Sequence, residues 1–357
     1  MEQLKLFDIP LLNVRTCEVD ELFKFKLNRI NESLSEEEKD IFCDRVCDYY
    51  HNVVGFPYYE GEVDVRAEME RLEKYDVERL LLEEGELQQV MLGLNICNVF
   101  HPHMWNVKCR NSKTPKEVFH DKALFKIAIR KRLAMSDSKL GRFNVRKSLK
   151  IFSGAQSVSN FRPTVASYLY FKYCPDGATV LDPCMGYGGR LLGSIVSQNV
   201  RSYHGVDPCV KTFEGNCRLN TELSKNDSNK LFNVPFEDFA INGLYDFVFT
   251  SPPYFDLEKY SDESTQSYIR YPQYDEWVKG FLRPLIEKSY TCLKEGRYFA
   301  INVDGEKLIK EVKFQCVATG FDLVDTLHMR LSRMPGKGMD RDIIKFKTEP
   351  IFIWRKQ

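Results

Sequence analysis

The apolar run Tyr245-Asp246-Phe247-Val248-Phe249-Thr250 is followed at once by Ser251-Pro252-Pro253-Tyr254. Two prolines directly after a buried-looking strand forbid its continuation and fix a rigid, extended turn. The turn presents the Ser251 hydroxyl, free backbone carbonyls and an aromatic ring. Such a set can accept both hydrogens of an exocyclic amino group and stack on the planar ring that carries it. Alone, the tetrapeptide could be a solvent loop; its place after a strand and downstream of a glycine-rich loop gives it chemical meaning.

The glycine-rich loop is Asp182-Pro183-Cys184-Met185-Gly186-Tyr187-Gly188-Gly189-Arg190, which follows the apolar Thr179-Val180-Leu181 and leads into Leu191-Leu192. Glycines let backbone approach a ligand closely, and ligands in open α/β sheets sit at the carboxyl ends of strands. The spacing is not that of a dinucleotide fingerprint, and a tight strand-to-helix turn explains the glycines as well. The next strand ends in Gly205-Val206-Asp207. A carboxylate about twenty residues after such a loop suits a ribose diol, or caps the helix that follows.

These residues need elements to position them. From residue 150 onward short β-branched runs alternate with helical stretches: Ala178–Asp182, Ser202–Asp207, Tyr245–Thr250 and Arg297–Val303, then two late strands near Phe321–Leu331 and Ile351–Trp354. That alternation predicts a parallel, Rossmann-like α/β sheet. Residues 1–149 read as a mostly helical domain and 150–357 as the catalytic one. Ser33 and Ser35-Glu36-Glu37-Glu38 look like helix-start material, and Val65, Met69 and Leu72 recur at helical spacing. Thr114-Pro115-Lys116-Glu117 combines a capping Thr, a Pro at the first helical position and a Glu three residues on, predicting one helix to about Leu133.

The 357 residues carry 51 Lys and Arg against 51 Asp and Glu, which argues against a simple cationic nucleic-acid binder. The charge is unevenly spread: residues 1–90 hold 11 basic and 23 acidic groups, residues 121–150 ten basic and two acidic. Lys122, Lys126 and Arg130 fall on one helix face, and Arg142 to Lys150 form a second basic stretch that includes Arg146. These are candidate phosphate contacts, with Arg330, Arg333, Lys337 and Arg341 as a third group; solvated charge is the alternative for each. No apolar run approaches a membrane span, and the N-terminal stretch has early acids and no long apolar segment. Eleven scattered cysteines then suggest free thiols in a reducing cytoplasm. Cys97, His101, His103 and Cys109 are possible zinc ligands, but their spacing fits no common module, and buried thiols with ordinary histidines are the expected reading.

Taken together, the motifs resemble those of S-adenosylmethionine-dependent amino-methyltransferases of the DNA N6-adenine/N4-cytosine type. The resemblance covers roughly residues 150–357 and implies the Rossmann-like sheet of that family. Asp182, Pro183, Gly186, Gly188 and Gly189 match its methionine-binding loop, Asp207 its ribose-binding acid, and Asp238, in Phe236-Glu237-Asp238-Phe239, the position beside the adenine of the cofactor. Ser159-Asn160-Phe161-Arg162-Pro163-Thr164 resembles the segment that closes over the methionine moiety, implying cofactor contacts from Phe161, Arg162 and Thr164. Ser251, Pro252, Pro253 and Tyr254 match the catalytic motif.

The resemblance implies methyl transfer from S-adenosylmethionine to cytosine N4 or adenine N6 of DNA, as in restriction-modification systems, with Ser251 leaning slightly toward cytosine. No metal is implied. The implied partner is DNA, with RNA possible, and the flipped base would stack on Tyr254. Sequence recognition would fall to the N-terminal part, since no large domain fits between the two motifs. Phe255 to Tyr274 reads as a mobile substrate loop or a surface excursion. Two rivals remain: the same turn acting on an RNA base or a protein glutamine amide, and a catalytically idle subunit of a DNA-modification complex.

Overall fold

The computed structural model describes residues 34–135, 140–225, 227–331 and 346–357. They fall into two units, one of residues up to Tyr59 with Pro102–Val158, the other of Glu60–His101 with Ser159–Gln357. The single boundary expected near residue 150 is therefore revised, because residues 60–101 belong to the second unit. Packing is the cause: Met69, Leu72, Ile96, Cys97 and Phe100 share an apolar cluster with Val165, Leu169, Leu191 and Leu219.

The first unit contains the helices Glu36–Tyr49, Pro115–His120, Lys122–Leu133 and Arg142–Ile151. Ser35 with Glu38 and Thr114 with Glu117 each form a reciprocal capping box. The one helix expected from Thr114 to Leu133 is broken at Asp121. Its backbone is extended, and its carboxylate accepts from Leu124 N, so it caps a new helix instead of continuing the old one.

The basic face expected to hold phosphates carries ion pairs within the unit. Lys122 pairs with Asp48 at 2.8 Å, Lys126 with Asp40 at 2.6 Å and Asp44 at 2.8 Å, and Arg130 with Glu36. The face thus lies against the acidic side of the Glu36–Tyr49 helix. Arg142 donates to Tyr58 O, while Arg146 is buried, donates to Pro57 O at 2.9 Å and stacks on the Tyr59 ring at 3.7 Å. These cations hold the unit together. Lys126→Glu combined with Arg130→Glu should lower the melting temperature by repulsion from Asp40, Asp44 and Glu36. DNA affinity measured at several salt concentrations should stay as in the wild type; a flattened salt dependence would restore the phosphate role.

The second unit is built on one sheet whose strands are β1 (Glu86–Leu87), β2 (Ala178–Asp182), β3 (Val200–Val206), β4 (Lys230–Phe232), β5 (Tyr245–Thr250), β6 (Leu293–Asn302), β7 (Phe321–Arg330) and β8 (Thr348–Lys356). Their order is β1-β7-β8-β6-β5-β2-β3-β4. All pairings are parallel except those of β8, which runs antiparallel to both β6 and β7. This is the Rossmann-like α/β sheet expected from the sequence.

Successive residues alternate between two apolar layers. Val180, Phe247, Phe249, Ala300 and Ile351 pack on one face, and Leu181, Val248, Phe299, Ile301 and Phe352 on the other. A sheet covered on both faces explains why its central strands read as continuous apolar runs. The covering helices include Pro163–Tyr173, Gly189–Val196, Val210–Leu223, Arg283–Cys292 and Glu306–Thr319. Arg330 is paired with Glu86, while Arg333, Lys337 and Arg341 lie outside the described residues. Among the described residues no helix is long and apolar enough to cross a membrane.

Candidate active site

Three parallel strands bring the singled-out residues to one edge of the sheet. β5 lies beside β2, and β2 beside β3, so Thr250, Asp182 and Val206 end at the same side. Ligands of open α/β sheets bind at this carboxyl edge.

The loop after β2 is organised by charge. Asp182 is fully buried and accepts from Arg190 Nε at 2.6 Å, from the Tyr203 hydroxyl at 2.6 Å and from Cys184 N at 3.2 Å. Arg190, also buried, reaches on to the Cys184 carbonyl, closing a ring of bonds under the glycines. Burial works against the charge of Arg190, but Asp182 outweighs it and holds the guanidinium above its usual range. Burial, with Asp182 adding to it, raises the Tyr203 phenol well above normal. Asp182 thus ties the loop to its strand through Arg190, a residue that the motif did not flag.

Two glycines are needed for close approach. Gly188 has φ +80° and a Cβ there would meet Asn216 Oδ1 and Leu219 at 2.9 Å. A Cβ on Gly189 would lie 1.8 Å from the Phe161 carbonyl oxygen. The segment around Phe161 is therefore pressed onto the loop, and Asn160 Nδ2 ties it there by donating to Tyr187 O at 2.8 Å. Pro183 is buried within the same loop. Asn216 Nδ2 supports Gly186 from beneath by donating to its carbonyl at 2.7 Å.

Within that segment the residues differ. The Phe161 ring lies edge-on to Phe249, with the Arg190 guanidinium 5.5 Å from its centre. Arg162 is buried, and its Nη1 has no hydrogen-bond partner among the described residues. Burial pushes it down to about 10, opposed by the charge of Glu349. Thr164 is fully buried and gives its hydroxyl proton to Val90 O at 3.2 Å. That contact ties Val90 to the helix through the Thr164 proton.

Asp207 accepts from Gly186 N at 3.0 Å through one carboxylate oxygen and from Cys209 N at 2.9 Å through the other. Burial pushes its carboxyl up to about 6 despite those two donors. A carboxylate has about four lone-pair sites, so two remain for a ligand diol. Asp238 is half-exposed and pairs with Arg270 at 2.8 Å, which also pairs with the buried Glu237.

Arg270 belongs to the stretch after the Ser-Pro-Pro-Tyr turn, which is held at both neighbouring strand ends. Glu263 accepts from Val210 N beyond β3, Thr265 donates to Pro208 O, and Arg270 meets Glu237 and Asp238 beyond β4. Phe255 opens this stretch with φ +59°, a costly conformation for an aromatic residue.

In the turn itself, Pro252 is buried and the Ser251 hydroxyl donates to Asn302 Oδ1 at 3.3 Å. The Tyr254 hydroxyl donates to Glu349 on β8. Nearby, Glu258 accepts from Tyr260. Burial raises the carboxyl groups of Glu349 and Glu258 above the ordinary range, so the turn is flanked by two acids that hold their protons more tightly than surface acids do. Asn302, Glu349, Glu258, Arg190 and Arg270 were not flagged by sequence. Arg190 alone left a local signal, as the one charge in the apolar helix Gly189–Val196.

The zinc alternative finds no support in the geometry. His101 Nδ1 bonds Cys97 O at 2.8 Å, burial pushes the ring down to about 4, and its edge packs where a Cβ on Gly215 would lie. Among the described residues no group of three or more His, Cys, Asp or Glu is placed to hold a metal.

No protein-family model matches the chain, and no curated protein matches it. Solved structures do resemble it at low identity. A methyltransferase from Pyrococcus furiosus is 16% identical, covering 55% of this chain and 83% of its own, with a TM-score of 0.38. TrmN from Thermus thermophilus is 14% identical over 55% of this chain and 49% of its own, with a TM-score of 0.38. A SAM-dependent O-methyltransferase from Thermotoga maritima is 12% identical over 56% of this chain and 68% of its own, with a TM-score of 0.40.

Proposed function

We propose that the second unit is an S-adenosylmethionine-dependent methyltransferase whose acceptor is a planar amino group, in the first place the exocyclic amino group of cytosine or adenine in DNA. One observation carries the reading. Ser251–Tyr254 stands at the carboxyl end of β5, directly beside the end of β2 that bears Asp182 and the glycine loop.

The residues present fit the cofactor. Asp207 keeps two acceptor sites suited to a ribose diol, and the buried Nη1 of Arg162, without a hydrogen-bond partner among the described residues, suits a methionine carboxylate. Gly186 is only half-buried in the loop, and Asp238, paired with Arg270, lies beyond the end of β4. When bound, S-adenosylmethionine supplies an electrophilic methyl group on a positively charged sulfur. An aromatic amino nitrogen is a poor nucleophile because its lone pair is delocalised into the ring. Ser251 Oγ and the Pro252 carbonyl would accept its two hydrogens and localise that pair, while the Tyr254 ring supports the base face.

Calorimetry with S-adenosylmethionine and transfer of tritiated methyl to unmethylated DNA, total RNA and protein test the reading together. Binding with label in DNA supports it. Label only in RNA or at protein glutamine replaces the acceptor, and no binding at all overturns it.

The cofactor step carries its own pH signature. Asp207 takes up a proton below about pH 6 and then loses acceptor capacity toward a diol. Ligand binding favours the ionised form, so affinity should be full above pH 7 and fall by up to about tenfold per unit below pH 6. In Asp207→Asn the affinity should be weaker and nearly flat across that range. A pH-independent wild-type affinity between pH 5 and 7.5, measured by calorimetry, would remove Asp207 from the ribose site.

A further inference from the structure

The hydroxyl of Ser251 has one proton, and the protein takes it. Asn302 is buried at the last position of β6, between β5 and β8. Its Nδ2 donates to Pro350 O at 2.9 Å, and a backbone carbonyl can only accept. That partner fixes the orientation of the amide, so Oδ1 is the atom turned to Ser251 at 3.3 Å. The phenol of Tyr254 also lies within reach of Ser251, but its own proton goes to Glu349. Asn302 Oδ1 can therefore only accept from Ser251, and the Tyr254 phenol has its own proton committed to Glu349.

We propose that Asn302 is a positioning residue that binds the Ser251 proton and thereby turns only the lone pairs of Ser251 toward the acceptor. This rests on the reading of the turn as the acceptor site. A free serine hydroxyl rotates and can donate to an amino nitrogen, which ties up the lone pair that must attack. With its proton given to Asn302, Ser251 can only accept, which drives electron density onto the nitrogen. The chain Pro350 carbonyl to Asn302 to Ser251 also couples the turn to β8, the antiparallel strand. It specifies an acceptor with an N–H to donate: a primary amino group, not a ring nitrogen lacking hydrogen.

The test is a double-mutant cycle between Asn302 and Ser251, read as single-turnover transfer of tritiated methyl to unmethylated genomic DNA, or to total RNA if RNA is the acceptor. Affinity for S-adenosylmethionine is measured in parallel by calorimetry. Asn302→Ala should slow transfer on the order of 100-fold, the scale of a misplaced reacting group, with cofactor affinity unchanged. The same substitution in the Ser251→Ala background should cost nothing more. Should the alanine variant fail to fold, Asn302→Asp keeps the volume and an acceptor oxygen, and its effect on rate must likewise vanish in the Ser251→Ala background. Losses that add, or full rate in a folded Asn302→Ala protein, overturn the role of Asn302 alone. Full rate in Ser251→Ala overturns the reading of the turn and this proposal with it.

Discussion

Arg190→Ala should destabilise the second unit by about 3–5 kcal/mol, the usual cost of breaking a buried ion pair from one side. The size follows from what is left behind. Asp182 is fully buried, and the substitution removes its only cationic partner among the described residues, leaving Tyr203 and Cys184 N to hold a buried carboxylate. The Cys184 carbonyl loses its donor too, and the glycine loop loses the ring of bonds beneath it. Chemical denaturation measures the loss, and the double variant Arg190→Met with Asp182→Asn separates charge from packing. Replacing both charges should restore much of the stability, because the penalty comes from the unpaired charge more than from the lost attraction. Cofactor affinity should stay low in the double variant, since the loop is no longer tied to its strand. Stability losses that simply add would mean that the pair does not act as a unit.

What the sequence made legible follows from how local each signal is. β2 and β5 coincide with the expected runs because both faces are buried and Asp182-Pro183 and Pro252-Pro253 end them abruptly. β4 and β1 went unseen, being three and two residues long with no room for a period. Residues 60–101 join the second unit through contacts of Leu72, Ile96 and Phe100 with helices more than sixty positions on, which no local pattern announces.

The site divides the same way. Asp182, Asp207 and Ser251 stood out as candidates because each ends or directly follows a strand and has a motif around it. Asn302 and Glu349 sit on β6 and β8 and reach the turn only through the strand order. The ion pairs of the basic face were hidden for the same reason. Lys126 and Arg130 were counted as charges without their partners Asp40 and Glu36, which lie 86 and 94 positions away. A charge run read along one helix cannot show that an acidic helix lies against it.

Ser251→Ala and Tyr254→Ala should fail in different ways. Ser251→Ala should bind cofactor and nucleic acid nearly as wild type but turn over on the order of 100-fold more slowly, because its hydrogen bond strengthens only as the amino nitrogen attacks. Tyr254→Ala should instead weaken binding of the acceptor by about 1–3 kcal/mol, the worth of an aromatic stacking platform for a single base. Tyr254→Phe keeps the ring but removes the donor from Glu349, which is half-buried on β8. Glu349 already holds its proton more tightly than an ordinary carboxyl, so it can protonate at modest cost once its partner is gone. Tyr254→Phe should therefore retain acceptor affinity and lose activity at high pH first, as the unpartnered carboxylate ionises beside the turn. Single-turnover methylation from pH 6 to 9, with cofactor and acceptor affinities measured in parallel, separates the three. Equal losses of rate and affinity in Ser251→Ala would make Ser251 a binding residue, and full rates in both alanine variants would move the active site away from this turn.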